Sequence, residues 1–229
     1  MLHIFIGYDQ AETIAYHVLA HSLLRQATGP ISVTPIVKSQ ITNVYRRGRG
    51  PLESTDFSLT RFMVPYLSQY EGYSLFLDCD MLCKADPYQL LMYGLAHPSK
   101  AVHVVQHDYT PKSGKKFLGN TQTVYPRKNW SSVMLFDNQR CKALLPEYIS
   151  TASPLSLHRF EWVKDEEIGT LPLEWNWLVG EYEPNPDAKL LHYTLGTPCF
   201  ESYALCDHAQ EWFDELNLML HPLKLGVTV

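Results

Sequence analysis

Short runs of β-favouring residues alternate along this chain with stretches whose apolar positions recur every three or four residues, and that alternation limits the fold more than any other feature. LHIFIGYD reads as a first strand, AETIAYHVLAHSLLRQA as the helix after it, and Thr28-Gly29-Pro30 as that helix's stop. ISVTPIVK is a second strand. A Gly- and Arg-rich segment from Gln40 to Ser54 has loop composition, and a helix carrying Leu59, Phe62, Met63 and Leu67 follows. YSLFLDCDML, AVHVVQHD and SSVMLFD supply three further strands, and a last helix falls near Asp207 to Leu220. This order predicts an α/β fold: a mainly parallel sheet flanked by helices, with an irregular final third. Such sheets bind ligands beyond the carboxyl ends of their strands.

The 229 residues, 45% of them hydrophobic, suffice for one domain spanning 1–229. The opening residues carry no basic leader, and no uncharged apolar run approaches membrane-spanning length, so no integral membrane segment is expected. Five cysteines, an odd number without a CxxC pair, point to free thiols and a cytoplasmic setting. A net charge of −5 disfavours nucleic acid as a partner, although the clusters Arg46/Arg47/Arg49 and Lys112/Lys115/Lys116 are each suited to a phosphate.

The stretch YSLFLDCDMLCKADPY raises the sharpest chemical question. Leu75, Phe76 and Leu77 have the continuous apolarity of a strand buried on both faces, so Asp78 and Asp80 mark the point where the chain leaves the core. If the extended conformation persists, a spacing of two puts both carboxylates on one face, where they repel unless a positive group joins them. Carboxylate oxygens suit hard divalent ions such as Mg²⁺ or Mn²⁺ that keep open positions for phosphates; the bland alternative is an acidic turn or helix cap.

Four motifs together resemble the nucleotide-diphospho-sugar glycosyltransferases of the GT-A fold, in particular the family that includes glycogenin and the bacterial lipopolysaccharide galactosyltransferases. IFIGYD resembles the first strand that holds the nucleoside, and SLTRFMVPYL the helix whose Arg precedes the metal motif. YSLFLDCDMLCKAD resembles the strand bearing DxD, and KLLHYTLG the late segment that donates a histidine. Arg61 stands seventeen residues before Asp78, and the four motifs keep the family's order from Met1 to about Cys206.

The resemblance implies a role for each matched position. Tyr8 and Asp9 would meet the base and ribose. Asp78 would reach the ribose or the metal, Asp80 and His192 would ligate the metal, and Cys79 would lie between the carboxylates against the donor. Arg61 would contact donor-sugar hydroxyls or phosphate. The implied cofactor is Mn²⁺ or Mg²⁺. The implied partners are a nucleotide-diphosphate sugar, UDP favoured and GDP possible, and a glycan, lipid-linked or other hydroxyl acceptor.

Departures from the family pattern are informative. The lysine that follows the late His and Gly is absent from His192-Tyr-Thr-Leu-Gly196-Thr-Pro198, leaving the Gly196 and Thr197 N–H groups, or a loop cation such as Lys115, to face the phosphates. Trp130-Ser131-Ser132 replaces Asn-x-Gly, so Ser131 and Ser132 become the donor-sugar contacts. The family's acidic-Gln pair before a helix has no clean counterpart, and Asp165 and Glu166 are the carboxylates expected to serve catalysis. Retention of anomeric configuration is implied, through a covalent carboxylate intermediate or front-face attack.

Rival readings fare less well. His17 and His21 have the spacing of a zinc protease, but Val18 occupies the place of its glutamate. A sugar-nucleotidyltransferase would show a Gly-rich loop after the first strand, which IFIGYDQAET lacks. His103, His107 and Asp108 form a weaker candidate cluster, with one packed and one rim histidine as the bland reading. Trp162, Trp175 and Trp177 offer either flat walls for a sugar or core packing. A degenerate module that binds nucleotide or glycan without turnover is the non-enzyme alternative.

Overall fold

A computed structural model describes residues 1–50, 53–109 and 126–221. Lys112, Lys115 and Lys116 therefore lie outside the described residues. The chain begins with strand β1 (Leu2–Gly7), helix α1 (Thr13–Gln26) and strand β2 (Ile31–Ile36), which pairs in parallel with β1. The segment carrying Phe62 and Leu67 is a 3₁₀ turn (Thr60–Met63) leading into one α turn, α2 (Val64–Leu67), where Pro65 sits in the first turn and loses no helical hydrogen bond. Strand β3 (Tyr73–Leu77) then enters beside β1, again parallel.

Here the structure departs from a single YSLFLDCDML strand. The backbone bends at Asp78–Asp80 and resumes as a separate strand, β4 (Met81–Cys83), in a different sheet. The two carboxylates are thus placed by a bend rather than by extended alternation. Helix α3 (Tyr88–Ala96) returns the chain to β5 (Val102–Val105), and β6 (Val133–Asp137) runs antiparallel to both β3 and β5. Two short helices, α4 (Pro146–Thr151) and α5 (Pro154–His158), precede β7 (Ile168–Leu171), which pairs in parallel with β5. The order β2-β1-β3-β6-β5-β7 makes a six-stranded sheet in which only β6 is reversed.

The final third is less irregular than its composition suggests. Strands β8 (Trp177–Leu178) and β9 (Leu190–His192) join β4 in a three-stranded sheet, and helix α6 (Ala209–Leu220) packs against α1. The main core lies around the large sheet. A smaller one gathers Val18, Leu82, Leu191, Tyr193 and Trp212 between α1, the small sheet and α6. Glu215 of α6 ties this layer to α1, accepting from Arg25 at 2.6 Å and meeting His21 at 2.7 Å. The small sheet therefore stands at the carboxyl edge of the large one, where β3 delivers its aspartates.

Candidate metal and nucleotide site

Strand register assembles the acidic centre. The Asp78 N–H donates to the Ser132 carbonyl at 3.0 Å, anchoring the end of β3 to the start of β6. Three residues later Met81 pairs with His192, and the Tyr193 N–H donates to the Asp80 carbonyl at 2.8 Å. Asp78, Asp80 and His192 consequently converge, each offering a ligand atom within 4.8 Å of the others. His192 is buried and its Nε2 stands 3.3 Å from Asp80 Oδ1.

Two side chains hold this centre in shape. Arg61, also buried, sets Nη1 at 2.9 Å from Asp78 Oδ1 and donates to the Ser131 carbonyl at 2.9 Å, with its guanidinium over the Phe57 and Phe76 rings. That pairing commits Arg61 to orienting Asp78. On the other side Asn176 donates through Nδ2 to Ser132 Oγ at 2.8 Å and toward the Asn129 carbonyl at 3.3 Å, which leaves its Oδ1 to face His192 Nδ1 at 2.9 Å. An amide oxygen accepts only, so His192 carries its proton on Nδ1 and turns a lone pair on Nε2 toward Asp80.

This arrangement fits a divalent cation. Asp80 Oδ1 is buried without a hydrogen-bond partner, and the nearest nitrogen presents a lone pair to it rather than a proton. Mixed carboxylate and imidazole ligation suits Mn²⁺ and Mg²⁺. The surroundings are acidic as well: burial first, then the Asp80 charge, with smaller contributions from Asp9 and Asp78, pushes buried Glu12 up to about 9, while the Cys79 thiol, donating to it at 3.6 Å, works the other way. Cys79 points into the core toward Glu12, and burial holds its thiol well above the ordinary range.

A cavity of about 540 Å³ opens nearby at the carboxyl ends of β1 and β2, lined by Tyr8, Gln10, Val37, Lys38, Ser39, Thr42 and Asp56. Tyr8 is held there by its hydroxyl, 2.9 Å from Thr13 Oγ1, and by edge contact with Tyr16. Asp9 is spent differently: Oδ1 accepts from the Ala11 N–H at 2.9 Å and Oδ2 from the Asp56 N–H at 3.0 Å, so it shapes the loop around the cavity.

Comparison with known proteins gives the family and the fold. The chain is 44% identical over 223 residues to Protein CDI of Arabidopsis thaliana, an alignment covering 93% of this chain and 85% of that protein. The chain belongs to the Protein CDI family. No protein-family model matches it. Among solved structures, this CDI-family chain superimposes on the apo bifunctional glycosyltransferase WbbM with a TM-score of 0.69 at 15% identity, over 98% of its own length and 51% of WbbM. It therefore spans about half of that protein. On galactosyltransferase LgtC, solved with donor and acceptor sugar analogues, the TM-score is 0.58 at 10% identity over 93% of this chain and 95% of LgtC. The fold is GT-A.

The other expected residues fall unevenly around this centre. Ser131 Oγ lies 2.8 Å from His158 Nδ1, and Ser132 Oγ donates to the Asn129 carbonyl at 2.7 Å, so both hydroxyls brace the entry to β6. The Gly196 N–H donates to the Tyr193 carbonyl at 2.8 Å and closes a turn. Asp165 and Glu166 are not brought to the cluster. They precede β7 at the amino edge of the sheet, three strands from β3, and strand spacing alone puts β7 about 14 Å from it. Asp165 instead pairs with Arg127 at 2.7 Å, and Glu166 is exposed. His103 is packed against Gly169, whereas Trp162 and Trp175 are core and Trp177 stays half-buried against Tyr182. Sequence reasoning passed over Asn176; its signal was a polar residue between two tryptophans in a stretch otherwise suited to burial.

Proposed function

We propose that this chain is a metal-dependent GT-A glycosyltransferase, a single domain over residues 1–229. It would move a sugar from a nucleoside diphosphate, UDP favoured and GDP possible, to a hydroxyl of a glycan, lipid-linked saccharide or other acceptor. The observation that carries the reading is the buried, partnerless Asp80 Oδ1 facing the His192 Nε2 lone pair at 3.3 Å, beside a cavity of nucleoside size. Asp78, Asp80 and His192 would hold a Mn²⁺ or Mg²⁺, which when bound would supply positive charge for the departing diphosphate. The protein's own groups do the rest: Arg61 fixes Asp78, Asn176 fixes the His192 tautomer, and Tyr8 walls the base cavity.

Transfer breaks the bond between the anomeric carbon and a diphosphate oxygen and joins that carbon to the acceptor oxygen, whose proton departs. Retention is the outcome the resemblance implies. With Asp165 and Glu166 at the far edge of the sheet, the geometry favours front-face attack over a covalent intermediate on either. Among the described residues no helix is long and apolar enough to cross a membrane, and all five cysteines are free, which supports the cytoplasm as the proposed location. The test is turnover of UDP- and GDP-sugars, as hydrolysis or transfer, with Mn²⁺ or chelator. The expected result is metal-dependent release of one nucleotide, reduced at least 100-fold in Asp80→Asn. Tight donor binding without turnover across acceptors would favour a non-catalytic module instead.

A further inference from the structure

His107 is a buried polar side chain that nothing above employs. It follows β5 at the carboxyl edge, and its position is fixed from three sides. Its carbonyl accepts from Trp130 Nε1 at 3.0 Å, immediately before the serines that brace β6. Its Nδ1 meets the Tyr182 hydroxyl at 2.9 Å, and the Tyr182 N–H donates to the carbonyl of Leu178, the residue in register with His192. Its ring also lies within 6.1 Å of Tyr109. The imidazole is 7% exposed, yet Nε2 has no hydrogen-bond partner. Burial pulls its basicity down to about 3, so the ring is neutral at physiological pH.

A neutral imidazole with one nitrogen engaged has one hydrogen-bonding function left on the other. If the Tyr182 hydroxyl donates, Nε2 is a donor; if that hydroxyl accepts, Nε2 is an acceptor. A sugar hydroxyl, which can play both parts, satisfies either case, and a buried nitrogen left unsatisfied costs about 1–3 kcal/mol. The rings of Tyr182 and Trp177, 5.2 Å apart and inclined at 59°, each offer an apolar face of the kind that suits a pyranose. His107 lies outside the group of ligand atoms formed by Asp78, Asp80 and His192, so the proposed metal centre makes no claim on its Nε2.

We infer that His107 is a binding residue for the transferred sugar, its Nε2 hydrogen-bonding a hydroxyl of the pyranose while Tyr182 fixes the ring. This rests on the glycosyltransferase reading and names a residue that discriminates the sugar from the bare nucleotide.

The experiment compares, by calorimetry in Mn²⁺, the affinities of UDP, GDP, UDP-glucose, UDP-galactose and GDP-mannose for the wild type, His107→Leu, His107→Gln and Tyr182→Phe, each checked for an unchanged melting profile. The inference predicts that one nucleotide sugar binds the wild type more tightly than its own diphosphate. His107→Leu abolishes that increment, a 5- to 30-fold loss, and leaves the diphosphate affinity alone; His107→Gln restores part of it and Tyr182→Phe weakens it. No sugar-dependent increment in the wild type, or one that His107→Leu keeps, overturns the inference while the glycosyltransferase reading survives on diphosphate binding. If no diphosphate binds at all, both fall.

Discussion

Asn176→Leu isolates what the histidine contributes. The substitution keeps the branched four-atom outline of the side chain and changes none of the proposed ligands themselves, but removes the oxygen 2.9 Å from His192 Nδ1. The imidazole is then free to carry its proton on Nε2, the nitrogen facing Asp80 at 3.3 Å, where it would pair with the carboxylate and oppose a cation. Loss of such an outer partner ordinarily lowers metal affinity 10- to 100-fold, or about 1.4–2.7 kcal/mol. Mn²⁺ titration of the metal-stripped protein reads this directly. Asn176→Asp retains an oxygen toward His192 and loses only the donors to Ser132 and Asn129, so its Mn²⁺ affinity should fall less than that of the leucine variant. A folded Asn176→Leu protein that binds Mn²⁺ within twofold of wild type would refute the tautomer argument.

Removing Arg61 should be costly for a different reason: Arg61→Met takes the guanidinium away from a largely buried Asp78, and breaking such a pair destabilises by about 3–5 kcal/mol, measurable by urea unfolding, with Mn²⁺ recovering more stability in the variant than in the wild type. Gly196 adopts φ +147°, and a Cβ there would meet the Tyr203 ring at 2.3 Å; Gly196→Ala is expected to lose about 1–3 kcal/mol, read as a lower Tm. His103 is buried with both ring nitrogens unpartnered, and burial, with help from His97 and Lys100, lowers it from 6.5 to about 4. The unfolded chain therefore takes up a proton that the folded one refuses. The stability this gives is complete above pH 6.5 and is lost as pH falls toward 4, on the order of 3 kcal/mol, and His103→Leu should flatten that part of the pH profile in denaturant melts.

The large sheet was readable because buried parallel strands announce themselves as nearly continuous apolar runs, as in Leu75-Phe76-Leu77 and, broken only by His103, Val102 to Val105. The split of YSLFLDCDML was not. Met81, Leu82 and Cys83 are as apolar as β3, and only their pairing with Leu190–His192, more than a hundred residues on, makes them a second strand. The reversal of β6 has the same character, since strand direction depends on tertiary pairing. Within the site, Asp78, Asp80 and His192 were legible as a set of motifs in order. The roles of Arg61 and Asp9 were not, because a charged side chain reads as a ligand contact in sequence, and only the fold reveals that Asp78 or backbone N–H groups already occupy it. Asp165 and Glu166 misled for a related reason: a carboxylate run gives no sign of which edge of the sheet it lies on.

The central claim is that a divalent cation joins Asp78, Asp80 and His192 to a nucleoside diphosphate, and the most direct test is calorimetric titration of UDP and GDP into metal-stripped protein, with and without Mn²⁺, alongside Asp80→Ala. The account predicts that one nucleotide binds only when Mn²⁺ is present and that the substitution abolishes the binding. Nucleotide binding indifferent to both Mn²⁺ and Asp80, or no binding of either nucleotide, would contradict it.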